Sequence, residues 1–200
     1  TIQPNSFAFT NTNNADLNTQ YFSDTVTVSG LSPSISVTIT ASVGYIDAGT
    51  SSLSGSYATS KTVTTSVSGT LVVRARVTSS SNWGTTQSAT VDVGGKTATY
   101  SVTTTAVDTT PAPFSFTPVT GANISQEYTS NQITVSGLSA SIPIVVSCSG
   151  GTVDAGTSVL SGTFSSSKTV TTSASGTIVV QTKTTSSGLY SDTKYSTVSI

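Results

Sequence analysis

Eight carboxylates, seven lysines or arginines and one cysteine are all that this 200-residue chain offers for acid–base, nucleophilic or metal chemistry, because it has no histidine and no methionine. A Ser-His-Asp or Cys-His arrangement is therefore excluded, and proton shuttling near neutral pH has lost its usual carrier. The single Cys148 rules out a disulfide framework and reads as a small thiol filling core space. Glycosidase chemistry needs two carboxylates across a cleft, whereas these eight are scattered, and only Asp47/Asp154 and the Asp16/Asn123 position approach repetition. Zinc has no ligand set, and calcium asks for about six to eight oxygens from several carboxylates. Asp108 has no acidic neighbour and reads as a solvated linker residue rather than a calcium ligand. The expectation is a protein without catalytic residues, metal or cofactor.

A few other residues invite a binding reading. Asp47-Ala48-Gly49-Thr50 returns unchanged as Asp154-Ala155-Gly156-Thr157, and such a motif predicts a turn in which Asp caps backbone donors and Gly supplies positive φ. Arg74 and Arg76, two residues apart, share one face of an extended segment. They either meet anionic sugars or solubilise a neutral strand and discourage edge pairing, and we favour the second. Trp83 and Tyr190 follow Ser79-Ser80-Ser81-Asn82 and Ser186-Ser187-Gly188-Leu189. An aromatic there either stacks on a sugar ring or folds back over the end of a sandwich, and packing is the favoured role. Asn123-Ile124-Ser125 fits a glycosylation sequon. Glycan or partner contact, if present, falls to Trp83, Tyr190, Arg74 and Arg76.

These residues are set in an unusual background. Thr contributes 41 positions and Ser 39, so two residues in five carry a small hydroxyl. Such a composition suits a disordered stalk, but a disordered stalk is rich in Pro and poor in patterned apolar residues. This chain has six Pro and a mean hydropathy of +0.11. A net charge of −1 provides no electrostatic footprint for nucleic acid. No run of 18 apolar residues exists, so no helical membrane insertion is expected. The start at Thr1-Ile2-Gln3-Pro4 has neither an initiator Met nor a signal region, and reads as a processed product or a fragment.

An internal repeat organises the chain. Ser29-Gly30-Leu31-Ser32 recurs as Ser136-Gly137-Leu138-Ser139, and Lys61-Thr62-Val63-Thr64-Thr65-Ser66 as Lys168-Thr169-Val170-Thr171-Thr172-Ser173, always 107 positions apart. Over the 93 aligned positions 43 are identical, too many for shared composition to explain. A period of this length fits an independent domain rather than a solenoid unit. We place the first domain at 1–107 and the second at 108–200, with a proline-stiffened boundary near Val107–Pro113. The second copy ends at Ile200, opposite Val93, so nothing in it corresponds to the segment from Gly94 to Thr103.

Period-two alternation dominates each copy. Leu71, Val73, Ala75 and Val77 face one side of a strand while Arg74 and Arg76 face the other; Ile178 and Val180 alternate with Gln181 and Lys183. Ile35, Val37, Ile39 and Ala41 alternate with Ser36, Thr38 and Thr40, where Thr suits a pleated and half-solvated surface. Gly94-Gly95 reads as a two-residue hairpin turn. No segment shows a helical period. The fold class predicted is all-β: two tandem immunoglobulin-like β-sandwiches of seven or eight strands, the second lacking its last strand.

Asp108-Thr109-Thr110-Pro111, Phe114-Ser115-Phe116-Thr117, Ile133-Thr134-Val135-Ser136-Gly137 and Ser88-Ala89-Thr90-Val91-Asp92-Val93-Gly94-Gly95 together look like a recurrent module. It resembles the Ig-like repeats of bacterial surface proteins and of bacteriophage capsid or tail appendages. That resemblance implies display, adhesion or decoration on a virion or cell surface. The partners it implies are other structural proteins of that surface, cell-surface glycans, or further copies in a homo-oligomer or longer array. A bacterial adhesin stalk and a carbohydrate-binding module are the alternatives. Separately, the second copy's end opposite Val93 predicts an open strand edge at Thr197, Val198, Ser199 and Ile200. Either the polypeptide continues past Ile200, which we favour, or another chain supplies a strand to that edge.

Overall fold

A computed structural model describes residues 2–200. Its contacts divide the chain into two compact units, Thr1–Val107 and Asp108–Ile200. Both are built from strands, and no helix occurs among the described residues.

In the first unit, β1 (Thr12–Ala15), β9 (Lys96–Thr104), β8 (Thr86–Val93), β4 (Ser36–Ala41) and β6 (Ser60–Thr64) form one sheet in that order. The second sheet centres on β7 (Leu71–Thr78), flanked by β2 (Gln20–Phe22) and β3 (Val26–Val28) on one edge and β5 (Tyr45–Gly49) on the other. Apolar residues of both sheets merge in one core: Leu71, Val73, Ala75 and Val77 from β7 meet Ile39, Val91 and Tyr100 from the facing sheet. This is a β-sandwich, and the alternation in the sequence maps directly onto its inner faces.

The dense hydroxyls sit on outer faces and pair across strands. Ser88 Oγ lies 2.9 Å from Ser101 Oγ and Thr86 Oγ1 lies 2.8 Å from Thr103 Oγ1 across the β8–β9 ladder. Each such pair contributes about 0.2–1 kcal/mol to sheet pairing. Between these two strands, Gly94 and Gly95 take φ of 59° and 87°, as the two-residue turn requires.

The second unit repeats the plan with fewer strands. One sheet holds β10 (Glu127–Thr129), β11 (Ile133–Val135) and β13 (Thr152–Gly156) around β15 (Ile178–Thr185). The other holds β14 (Ser167–Thr171), β12 (Pro143–Ser149) and β16 (Thr197–Ser199) in that order. Nine strands in the first unit thus become seven. Residues 119–122, the counterparts of β1, are not a strand, because β1 pairs only with β9.

Candidate functional site

Three placements matter for function: an outer face in the first unit, a buried ion pair present in both units, and the loop and edge where the second unit is short of strands.

The outer face is carried by β7. Alternation sends Arg74 and Arg76 away from the core, and the antiparallel register sets Phe22 of β2 and Tyr45 of β5 both opposite Arg76. The Arg76 guanidinium carbon lies 4.7 Å from the Tyr45 ring centroid and 4.9 Å from that of Tyr57. Arg74 stands 4.9 Å over Phe22 and donates through Nε to the Ser23 carbonyl at 2.9 Å. Phe22 and Tyr57 are themselves 5.3 Å apart. Two cations are thereby interleaved with three aromatic rings. Each stacked pair contributes about 0.5–1 kcal/mol at such exposure. Phe22 and Tyr45 remain 41% and 45% exposed, so the face presents aromatic surface to solvent. In the second unit Gln181 and Thr129 replace Arg74 and Phe22, leaving Lys183 over Phe164 at 4.8 Å and 3.6 Å from the Glu127 carboxylate.

Sequence reasoning placed Arg74 and Arg76 outward but missed Phe22, Tyr45 and Tyr57. Alternation within β7 locates the arginines, but nothing in the sequence states which residues of distant strands pair with them.

The identical Asp-Ala-Gly-Thr motifs are not turns. Asp47 and Asp154 lie within β5 and β13 and are fully buried. Asp47 forms an ion pair with Lys61 and accepts hydrogen bonds from Ser54 Oγ at 2.9 Å and the Gly55 N–H at 2.6 Å. Asp154 repeats this with Lys168, Ser161 Oγ at 3.0 Å and the Gly162 N–H at 2.6 Å. Burial by itself would raise these carboxyls. The ammonium and the converging donors outweigh it and hold both below the ordinary aspartate range. The glycine is needed for space, not for positive φ: a Cβ on Gly49 would meet the Ser52 carbonyl oxygen at 1.9 Å, and one on Gly156 the Val159 oxygen at 1.9 Å. Each loop is thus folded down over its strand and clipped there, and the clip consumes the carboxylate.

Trp83 is half-buried in the β7–β8 loop, whereas Tyr190, at the same place in the second unit, is 85% exposed. Packing over the sandwich end therefore fails for Tyr190. In the first unit Thr104 of β9 secures the loop: its Oγ1 accepts from the Thr85 N–H and donates to the Asn82 carbonyl. Among the described residues no counterpart of β9 lies beside Tyr190. Trp83 is not part of the arginine–aromatic face, and Tyr190 belongs to the other unit.

Cys148 is half-buried rather than a core filler. It is the penultimate residue of β12, opposite Val198 of β16, with its sulfur 3.5 Å from the Thr182 hydroxyl. Asp108 turns its carboxylate back to the Thr110 N–H at 2.9 Å. Among the described residues no three His, Cys, Asp or Glu side chains group as a metal site would require. Asn123 is exposed, its N–H donating to the Tyr128 hydroxyl at 2.8 Å. Thr197, Val198 and Ser199 form β16, which pairs with β12 alone, and Ile200 follows it half-buried. No protein-family model matches this sequence, and no curated protein does either.

Proposed function

We propose that this protein is a non-enzymatic display module of a surface appendage, a bacteriophage capsid or tail decoration or fibre, working on the virion surface or outside the cell. The observation that carries this reading is the division of labour among its scarce charges. Lys61, Lys168, Asp47 and Asp154 are spent on internal clips repeated in both units, while Arg74 and Arg76 stack with aromatic rings on one outer face. Tyr and Arg in proximity are the side chains that dominate protein–protein contact energies. The guanidinium groups already cover aromatic ring faces, which are the surfaces a sugar needs for stacking. This favours another structural protein of the appendage, or a further copy in an array, as the partner of that face. Surface hydroxyls joined across strands supply a hydrated coat without large fields of charge.

Support for a virion host over a bacterial adhesin stalk comes from the resemblance of the short repeat motifs and from an inter-unit segment whose Asp108 is engaged with its own backbone. A second reading, weak glycan attachment, is favoured by one feature, the open Tyr190 side chain. Imaging of the native assembly tests the main reading. Regular, symmetry-related density with the Arg74–Arg76 face against a neighbour supports it, and a face open to solvent in every copy refutes it. Retention on immobilised glycans that vanishes with Tyr190→Ala would transfer the case to the second reading.

A further inference from the structure

The cations of this chain do not all meet carboxylates. Three ion pairs occur among the described residues, Lys61–Asp47, Lys168–Asp154 and Lys183–Glu127, and none includes an arginine. Arg74 and Arg76 therefore carry two uncompensated charges on the outer face of β7. Asp47 stands opposite Arg74 in register, but its carboxylate is taken by Lys61, Ser54 and Gly55. A guanidinium stacked on a ring through its face keeps its in-plane N–H donors available. Arg74 uses Nε alone, on the Ser23 carbonyl, and the Arg76 side chain makes no hydrogen bond among the described residues.

The second unit shows what completes such a stack. By the repeat offset, Arg76, Tyr57 and Gln20 correspond to Lys183, Phe164 and Glu127. Lys183 stands 4.8 Å over Phe164, and the Glu127 carboxylate lies 3.6 Å from the same ammonium. Arg76 likewise stands 4.9 Å over Tyr57, but the place of the glutamate is held by the exposed Gln20. One copy supplies its own counter-ion. The other presents cation and ring without it and adds a second arginine, joined to the first through the Phe22 and Tyr57 rings 5.3 Å apart.

Spacing defines the ligand. Arg74 and Arg76 are alternate residues of β7 and so stand about 6.5–7 Å apart along it. Alternate side chains of any extended peptide repeat at the same interval, so two acidic residues separated by one other can engage both guanidiniums at once through charge-assisted bonds. The exposed parts of Phe22 and Tyr45 give the stems of those acids an apolar bed. We infer, on the reading that this face meets a neighbouring protein, that it receives an extended acidic segment of that neighbour, whose alternate carboxylates supply the counter-charge that Glu127 provides in the second unit. No two carboxylates lie two positions apart within the 200 residues, so neither unit of another copy offers this segment.

The test is an NMR titration of the full 200-residue chain with a short capped peptide of threonine and valine bearing glutamate at two alternate positions. At low salt it should bind with a dissociation constant at or below about 1 mM, with amide shifts confined to β2, β5 and β7. Glutamine in place of both glutamates should weaken binding at least about tenfold, and moving the two glutamates to adjacent positions at least about threefold. Raising the salt from about 20 mM to about 300 mM should cost about fivefold or more. Gln20→Glu installs the counter-ion of the second unit and should weaken binding at least about fivefold with an unchanged melting curve. Arg74→Gln combined with Arg76→Gln should abolish binding; should that variant melt early, Gln20→Glu decides alone. Absence of saturable binding, equal binding of the glutamine peptide, or full affinity in Gln20→Glu overturns the inference. Tighter binding of a sulfated oligosaccharide at the same residues also overturns it and assigns the face to an anionic glycan. Where imaging of the native assembly still sets the face against a neighbour, such results remove the acidic segment alone; a face open in every copy removes the contact itself.

Discussion

Replacing Lys61 by methionine should destabilise the first unit and spare the second. The substitution keeps the length and apolar stem of the side chain and removes only the ammonium. Asp47, fully buried, would retain the Ser54 and Gly55 donors but lose its counter-ion. Breaking a buried pair by deleting one partner costs about 3–5 kcal/mol. Here the Lys61 side chain is 19% exposed, so water reaches the ammonium, and two neutral donors remain on the carboxylate. The loss should therefore fall at or just below the lower end, at about 2–3 kcal/mol. For a unit of this size that corresponds to a drop in melting temperature of about 10–20 °C. Trp83 is the only tryptophan and lies in the first unit, so its fluorescence reports that unit alone, while calorimetry records both. Lys61→Met should lower the fluorescence transition. Lys168→Met should leave it in place and lower the other calorimetric transition by a similar amount. A fluorescence shift below about 3 °C for Lys61→Met would refute the argument, because it would mean that the ammonium contributes nothing net to the buried carboxylate.

The same clips set the response to acid. Both aspartates are held below their ordinary range, so their contribution is fully present above about pH 4 and disappears as pH falls through the depressed folded-state values; acid titration of Asp47→Asn should show a shallower loss of stability in the first unit, and an unchanged profile would contradict it. Gly49→Ala should cost several times more than Gly55→Ala. The first drives a Cβ to 1.9 Å from the Ser52 oxygen, while the second meets nothing within 4 Å and bears only its φ of +77°, a penalty of about 1–2 kcal/mol; comparable urea midpoints would count against the close approach. Tyr100→Phe removes the 2.7 Å hydrogen bond to Thr12 that ties β9 to β1, and should lower first-unit stability by about 1 kcal/mol in denaturant titration, with no change in the second. Arg76→Gln combined with Tyr45→Ala should abolish attachment of the first unit to its neighbour while leaving its melting temperature within a few degrees, measured by co-sedimentation with the native assembly.

Much of the architecture was legible because period-two alternation is a local property. Leu71, Val73, Ala75 and Val77 announce an inner face whatever lies opposite, and Gly94-Gly95 specifies its own turn. The functional surface was less legible. Arg74 and Arg76 were found, but their aromatic partners lie on β2, β5 and the loop before β6, and register between distant strands leaves no mark in the sequence. The Asp-Ala-Gly-Thr motif misled for a related reason. Its composition suits a turn, yet burial beneath a folded-down loop makes it a strand, and its clipping lysine stands 14 residues away.

By itself, then, the sequence determined the fold class, the duplication and the want of a last strand in the second copy, since hydrophobic period and repeat offset are read along the chain. Only the tertiary structure decided which charges are buried, which aromatic rings share the arginine face, and that residues 119–122, unlike β1, form no strand. Those outcomes depend on which side chains meet across sheets and loops, and that pairing exists only once the chain has folded.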